Sequence, residues 1–546
     1  MALEQQQLTF DTTKDHHVSK RLKLNPSAHF LDDDEDDNRL LEDDAQDEAA
    51  DEAVDFALQM LARNQRKGGT LEPTITFSVA PHRDTIGIRS NEFFGQICAS
   101  VNACELSSHD AHTRAPIDIV VALDVSGSMR VEKLDLCKNT LKLLLKELHH
   151  DDRFCLVSFS DEAKIEVPML KVNEDQKRVA IHTIEHLSVR GRTNIASALS
   201  LAAQIANSVP QPNKVRSVFL LTDGQANVGP TEAKDLVELT GIFVEAGRKP
   251  TSPPISLHTF GYGPEPDHKL LLDMAKTTSG GSFYPVKDNS QVFSAFGDAI
   301  GGILSVVAHD VSLTISVPVD AARCGSEIIA VHHENKREIA NGVWQVYIGD
   351  VYAEETRDII FEVTLASPSR SFLEDDTPAI PHALVELTYI DTIHHTRVGP
   401  VSSVAVIKRP NSQDLSWPNR DVAIQWLRVR TANCIAQAES LARLGELDKA
   451  KKELGDWIEE FTRESFEIGA DKEPLIKQLR LDLTESLDLL KGNVYNSYVE
   501  NDLGVRVHTH MSQRCSEPFT GKRNVYRTGQ KRFRAQAFDK GSSLSK

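Results

Sequence analysis

Asp124-Val125-Ser126-Gly127-Ser128 sets one carboxylate and two hydroxyls at alternate positions along a short stretch of chain. Gly127 lets the backbone turn tightly enough for those oxygens to converge. A donor set made of oxygen alone suits a hard divalent cation, Mg²⁺ ahead of Zn²⁺. The stretch directly follows Ile117-Asp118-Ile119-Val120-Val121-Ala122-Leu123, an apolar run that reads as a buried parallel strand. The oxygens therefore fall on a loop at the carboxyl end of a strand, where open α/β sheets bind their ligands.

Two later segments contribute further oxygens. Gly191-Arg192-Thr193-Asn194 is a turn carrying a hydroxyl and opens a helical stretch, and Val218-Phe219-Leu220-Leu221 is a second buried strand that runs into Thr222-Asp223-Gly224. For any one of these residues, capping of the next helix would be explanation enough. Five at converging strand ends point to a metal site. In order and spacing, Asp124, Ser126, Ser128, Thr193 and Asp223 resemble the metal-ion-dependent adhesion site (MIDAS) of the von Willebrand factor type A (VWA) domain family. That family uses Asp-x-Ser-x-Ser, then a threonine, then an aspartate in Thr-Asp-Gly.

The resemblance implies bound Mg²⁺, with Mn²⁺ as the alternative ion. It implies direct coordination by Ser126 and Ser128, with Thr193 joining in at least one state, while Asp124 and Asp223 act mostly through water. Neutral hydroxyls leave such an ion electron-poor, so the implied partner is a protein presenting an Asp or Glu carboxylate. One departure stands out: Gly191-Arg192-Thr193 replaces the family's frequent Gly-Gly-Thr and adds a positive charge nearby.

The stretches Gly261–His268, Thr278–Tyr284 and Gly301–Val307 resemble the intracellular branch of the family, and the likeness covers roughly residues 71–500. That branch includes plant ubiquitin ligases with a RING finger ahead of the VWA domain. A RING finger needs eight Cys or His ligands at short spacings, and residues 1–110 offer Cys98, Cys104 and dispersed histidines. Ligase activity is therefore not expected. The leading reading is a non-enzymatic, Mg²⁺-dependent protein-binding scaffold or adaptor. The alternatives are a substrate-recognition component of a ubiquitin-ligase pathway and a metal-dependent phosphohydrolase. The hydrolase would use Asp124 as nucleophile, but Ser126 stands where an Asp-x-Asp pattern needs its second carboxylate.

The elements that must position the site emerge from periodicity. Residues 115–307 alternate strand and helix, which predicts an α/β unit, a doubly wound parallel Rossmann-like sheet. Its last helix, expected over Val292–Val307, would run straight into the later β-domain and could carry a signal. That domain, residues 308–410, reads as strands alone, an antiparallel β-sandwich. Alternating strands within 71–104 lack partners of their own and are expected to pair with that later sheet. Residues 419–500 show three apolar stripes at helical spacing, expected as a hairpin plus a third helix.

Charge is unevenly placed over the 546 residues, whose formal net charge is −19. Residues 32–55 hold fourteen Asp or Glu against Arg39, so 1–70 is expected to be disordered, with a short helix conceivable at Ala53–Arg63. Residues 505–546 hold ten Lys or Arg against two acids and read as a basic flexible tail that the acidic segment would attract. No broad basic face for nucleic acid is legible. Seven scattered cysteines without a Cys-x-x-Cys pair fit reduced, mostly buried thiols. A polar start without a signal-peptide core, and no segment of membrane-spanning length, lead to an expectation of a soluble cytoplasmic or nuclear chain with no membrane partner. Lys20-Arg21-Leu22-Lys23 is the one candidate import signal. The pairs His16-His17, His149-His150, His332-His333 and His394-His395 are expected to be exposed or capping, because adjacent side chains diverge on both strands and helices.

Overall fold

A computed structural model of the chain describes residues 74–513 apart from 106–113, 263–266, 287–291, 366–378 and a few shorter gaps, together with scattered positions between 525 and 536. The expectations for residues 1–70 fall outside the described residues, as do most of those for the basic tail.

Strands β1 (Ile75–Pro81) and β2 (Phe94–Ala103) form an antiparallel pair. The chain then enters the α/β unit: β3 (Ile117–Asp124), α1 (Val131–Glu147), β4 (Arg153–Phe159), β5 (Ala163–Lys171), α2 (Glu174–Glu185), α3 (Ile195–Ser208), β6 (Val215–Thr222), α4 (Ala233–Glu245), β7 (Ser256–Tyr262), α5 (His268–Lys276), β8 (Ser282–Val286) and α6 (Val292–Ile303). The sheet runs in the order β5-β4-β3-β6-β7-β8, all parallel except β5, which pairs antiparallel with β4 at one edge. Every residue of β3 and of β6 is buried, as strands covered on both faces must be.

Alternation along β3 decides the two layers. Ile119, Val121 and Leu123 pack with α1, α2 and α6, while Val120 and Ala122 pack with α3, α4 and α5. Leu134, Cys137, Leu141, Leu144, Leu145 and Leu148 are all buried as one stripe on and just after α1, each large aliphatic worth about 1.5–3 kcal/mol when removed from water. Helix starts are fixed by side chains: Asn173 and Gln176 form a capping box for α2, and Asn194 accepts from Ser197 N at the start of α3.

β9 (Val306–Ser316) follows α6 after only Leu304 and Ser305. The helix thus stops four residues short of the expected Val307, because Val306 and Val307 are drawn into β9, where Val306 pairs with Tyr352 of a later strand. The remaining strands are β10 (Ile328–His332), after the short α7 (Val319–Arg323), then β11 (Lys336–Ala340), β12 (Val343–Tyr352), β13 (Thr356–Thr364), β14 (Ala379–Asp391) and β15 (Arg397–Lys408). They make two antiparallel sheets, β1-β2-β13-β10 and β11-β12-β9-β14-β15. β2 pairs with β13 over Phe94–Asn102, so the early strands share a sheet with strands from far beyond the α/β unit. Ile97, Ala99 and Val101 of β2 meet Leu313 and Ile315 of β9 in one core between the sheets.

Among the described residues four helices follow the sandwich: α8 (Arg420–Arg443), α9 (Leu447–Glu467), α10 (Pro474–Lys491) and α11 (Ser497–Ser512). The fourth corrects the expectation of a flexible tail from residue 505. Leu503 and Val505 are buried, and Arg506 binds Asp502 at 2.6 Å, Asp482 at 3.0 Å and Glu485 at 3.0 Å. Arg428 of α8, itself buried, donates to the carbonyls of His510 on α11 (2.5 Å) and Asp358 on β13 (2.7 Å). One guanidinium thereby fastens the helices to the sandwich. Among the described residues no helix is long and apolar enough to cross a membrane.

Candidate metal centre

Three loops meet at the carboxyl ends of β3 and β6. The first follows β3 and turns through a short 3₁₀ segment, Gly127–Met129. The second, residues 190–194, leads into α3, and the third, 222–228, leaves β6. Backbone hydrogen bonds sew them together. Arg190 N donates to Val125 O at 2.6 Å, Gly127 N to Gly191 O at 3.2 Å, and Asn227 N and Val228 N to Thr193 O at 3.0 and 3.1 Å. The Asn227 side chain returns the contact, accepting from Thr193 N at 2.8 Å.

All five oxygen-bearing residues singled out from the sequence lie on these loops. Asp124, Ser126, Thr193 and Asp223 are buried, and Ser128 is exposed at the rim. The Ser126 and Ser128 hydroxyls are 3.0 Å apart. Asp124 Oδ1 accepts from Ser126 N at 2.8 Å, and its Oδ2 accepts from the Thr222 hydroxyl at 2.7 Å. Asp223 Oδ1 is buried without a hydrogen-bond partner. A buried oxygen of that kind costs about 1–3 kcal/mol or more if nothing satisfies it.

The electrostatics agree with that deficit. Burial pushes the Asp124 carboxyl up to about 6, hydrogen bonds from Ser126 and Thr222 pull it back in part, and the neighbouring Asp223 pushes it up further. Two carboxylates, three hydroxyls and no nitrogen or sulfur donor form a set that could hold a hard divalent cation. Among the described residues no cluster of three or more His, Cys, Asp or Glu side chains is placed to hold a metal, so any cation here relies on hydroxyls as well as carboxylates.

Arg192 does not bring an open charge to this site. Its Nε donates to Asp161 Oδ1 at 2.9 Å, and this contact holds the Asp161 carboxyl below its usual range. Gly191 makes the turn possible: it sits at φ +64°, and a Cβ there would lie 2.2 Å from Asp161 Oδ2.

Sequence reasoning did not single out Asn227 or the supporting role of Thr222. Asn227 carries no motif of its own. Thr222 is flagged only by its place in Thr-Asp-Gly. The histidine pairs assemble no metal cluster among the described residues; His332 meets Glu362 and His394 meets Asp391, each at 2.9 Å.

The chain matches the von Willebrand factor type A domain over residues 118–297, the span that carries all three loops. Residues 118–297 form a VWA domain. E3 ubiquitin-protein ligase WAV3 of Arabidopsis thaliana is 29% identical over 267 residues, 47% of this chain and 32% of WAV3. The uncharacterized protein YfbK of Escherichia coli is 26% identical over 255 residues, 45% of this chain and 42% of YfbK. The matched part thus spans well under half the length of either relative. Beyond the VWA domain, a solved von Willebrand factor type A protein from Catenulispora acidiphila shares the fold at a TM-score of 0.54 and 16% identity, covering 78% of this chain and 91% of its own.

Proposed function

We propose that this chain is an intracellular protein-binding scaffold whose VWA domain grips an Asp or Glu carboxylate of a partner through Mg²⁺. Asp124, Ser126, Ser128, Thr193 and Asp223 would hold the ion, which when bound supplies a positive centre able to accept one further carboxylate oxygen. The observation that carries this reading is the orphaned, buried Asp223 Oδ1 on a strand end beside Asp124. A buried carboxylate oxygen without a donor is costly unless a cation or an ordered water answers it. Ser128, exposed at the rim, marks the side from which a partner would approach.

The rest of the cradle is built to keep its shape. Thr222 and the Ser126 N–H orient the Asp124 carboxylate, while Asn227 and the Gly127–Gly191 contact hold the second loop against its neighbours. Preorganised oxygens lower the cost of binding an ion. Hydrolytic chemistry would need a nucleophile or base beside the ion, and Ser126 fills the place of the second carboxylate that an Asp-x-Asp pattern requires.

A second reading, a substrate-recognition part of a ubiquitin-ligase pathway, draws on the E3 ligases among the relatives. It names a setting for the same carboxylate grip. Both readings are tested by quantitative capture from lysate with wild type and Ser126→Ala/Ser128→Ala, each in Mg²⁺ and in chelator. Proteins retained only by wild type in Mg²⁺ are expected, and ubiquitin-ligase components among them would favour the second setting. Identical sets in all four samples would contradict the grip.

A further inference from the structure

At the opposite end of the VWA sheet from the metal loops lies a cleft of about 990 Å³, between the α/β unit and the sheet carrying β9, β11 and β12. The separation is set by β6. Lys214, on the cleft wall, immediately precedes this strand, whereas Asp223 immediately follows it. Eight residues of strand span roughly 25 Å.

The cleft carries an excess of positive charge in a chain whose net charge is −19. Two of its cations are neutralised locally: Arg248 by Glu245 at 2.8 Å, and Lys276 by Glu334 at 3.2 Å. Four are not. Lys336 donates to the carbonyl of Val331, Arg337 to the neutral amide oxygen of Gln345, and Lys214 and Arg397 are exposed with no carboxylate partner among the described residues. Against these four stands Asp310, whose carboxylate accepts from the Tyr347 hydroxyl at 2.8 Å.

The arrangement also indicates which anion fits. The four open cations come from three separate places: the loop before β6, the strand β11, and the first residue of β15. Spaced single charges match spaced carboxylates better than one compact phosphate cluster. Helices α4 and α5 reach the cleft with their C-terminal ends, at Glu245 and Lys276, and the negative ends of their dipoles disfavour a concentrated anion. β11 lies at the edge of its sheet with every residue exposed, so one side of its backbone is open to an added strand. We propose that this cleft binds an extended Asp/Glu-rich segment of a partner protein, without any metal ion and apart from the VWA metal loops.

The test is fluorescence anisotropy of a labelled Asp/Glu-rich peptide with the full chain in excess chelator, so that the metal site plays no part. Binding is expected that weakens about tenfold or more in Lys214→Glu/Arg397→Glu and falls as salt rises. The two residues are exposed and unpaired, so the variant should keep the wild-type melting temperature; the neutral pair Lys214→Gln/Arg397→Gln serves as the check and should weaken binding less. A Lys-rich peptide should not bind. Absence of binding, equal binding by the charge-reversed variant, or tighter binding of inorganic polyphosphate than of the peptide would overturn the proposal. A negative result in chelator would leave the carboxylate grip at the metal loops untouched, because that reading requires Mg²⁺.

Discussion

The hydroxyl of Thr222 donates to Asp124 Oδ2 at 2.7 Å across 98 residues of sequence, joining the ends of two neighbouring parallel strands. One end carries the Asp-x-Ser-x-Ser loop and the other carries Asp223. The contact fixes the orientation of a carboxylate that is fully buried. Its position therefore sets the geometry available to any ion between the loops.

Replacing Thr222 with Val keeps the volume and removes the donor. Hydrogen bonds to charged groups contribute about 1.5–3 kcal/mol, and the loss should appear as reduced stability in denaturant unfolding. The freed carboxylate should also weaken divalent-cation affinity, read by titration calorimetry. Unchanged stability together with unchanged affinity would show that Asp124 is oriented by something else.

Asp124 gives the site a pH dependence with a definite sign. Its carboxyl stands at about 6 rather than 3.8, first because it is buried. In the absence of a cation the folded state favours the protonated form, so this group's contribution to stability is full below about pH 4 and is lost as pH rises through about 6. A bound cation favours the ionised form and reverses the penalty. The rise in melting temperature on adding Mg²⁺ should therefore be small near pH 5 and larger near pH 7. A Mg²⁺ effect that is flat across that range, or larger at the acid end, would count against Asp124 as part of the site.

Arg506 on α11 sits among Asp482, Asp502 and Glu485, with the first two carboxylates buried. Arg506→Leu should cost about 3–5 kcal/mol, because it removes one partner of a buried ion-pair network. Hydrogen exchange should show the loss first in α11 and at the β13 contacts made through Arg428. Protection equal to wild type throughout α11 would mean that the network is dispensable.

The pairing of β2 with β13 has a consequence for folding. A fragment of residues 306–408 leaves β13 with β10 as its only neighbour in the sheet order β1-β2-β13-β10. Ile97, Ala99 and Val101 are also missing from its core. Such a fragment should unfold without a cooperative transition in urea. A sharp two-state transition would show that the sandwich does not depend on the early strands.

The sequence exposes the metal loops readily because their chemistry is concentrated in short motifs on apolar strands. Other parts are hidden for identifiable reasons. β8 is five residues long, contains Pro285 and follows Gly280-Gly281, and a proline is tolerated there because β8 is an edge strand. β11, Lys336-Arg337-Glu338-Ile339-Ala340, is also an edge strand, where charge discourages unwanted pairing and masks the strand pattern. α11 is obscured because its second half, from Val505, opens the net basic stretch at the end of the sequence, and the acids that neutralise Arg506 include Asp482 and Glu485 from α10. The basic cleft has no local signal at all. Lys214, Lys336, Arg337 and Arg397 meet only after the two sheets and the α/β unit have packed.

The most direct test of the account is Mn²⁺ binding followed by electron paramagnetic resonance on the full chain, with Mg²⁺ as competitor, in wild type and in Ser126→Ala/Ser128→Ala. The account predicts one Mn²⁺ site in wild type, displaced by Mg²⁺, and its loss in a double variant that still melts like chelated wild type. Equal Mn²⁺ binding by the two proteins, or none by wild type, would contradict it.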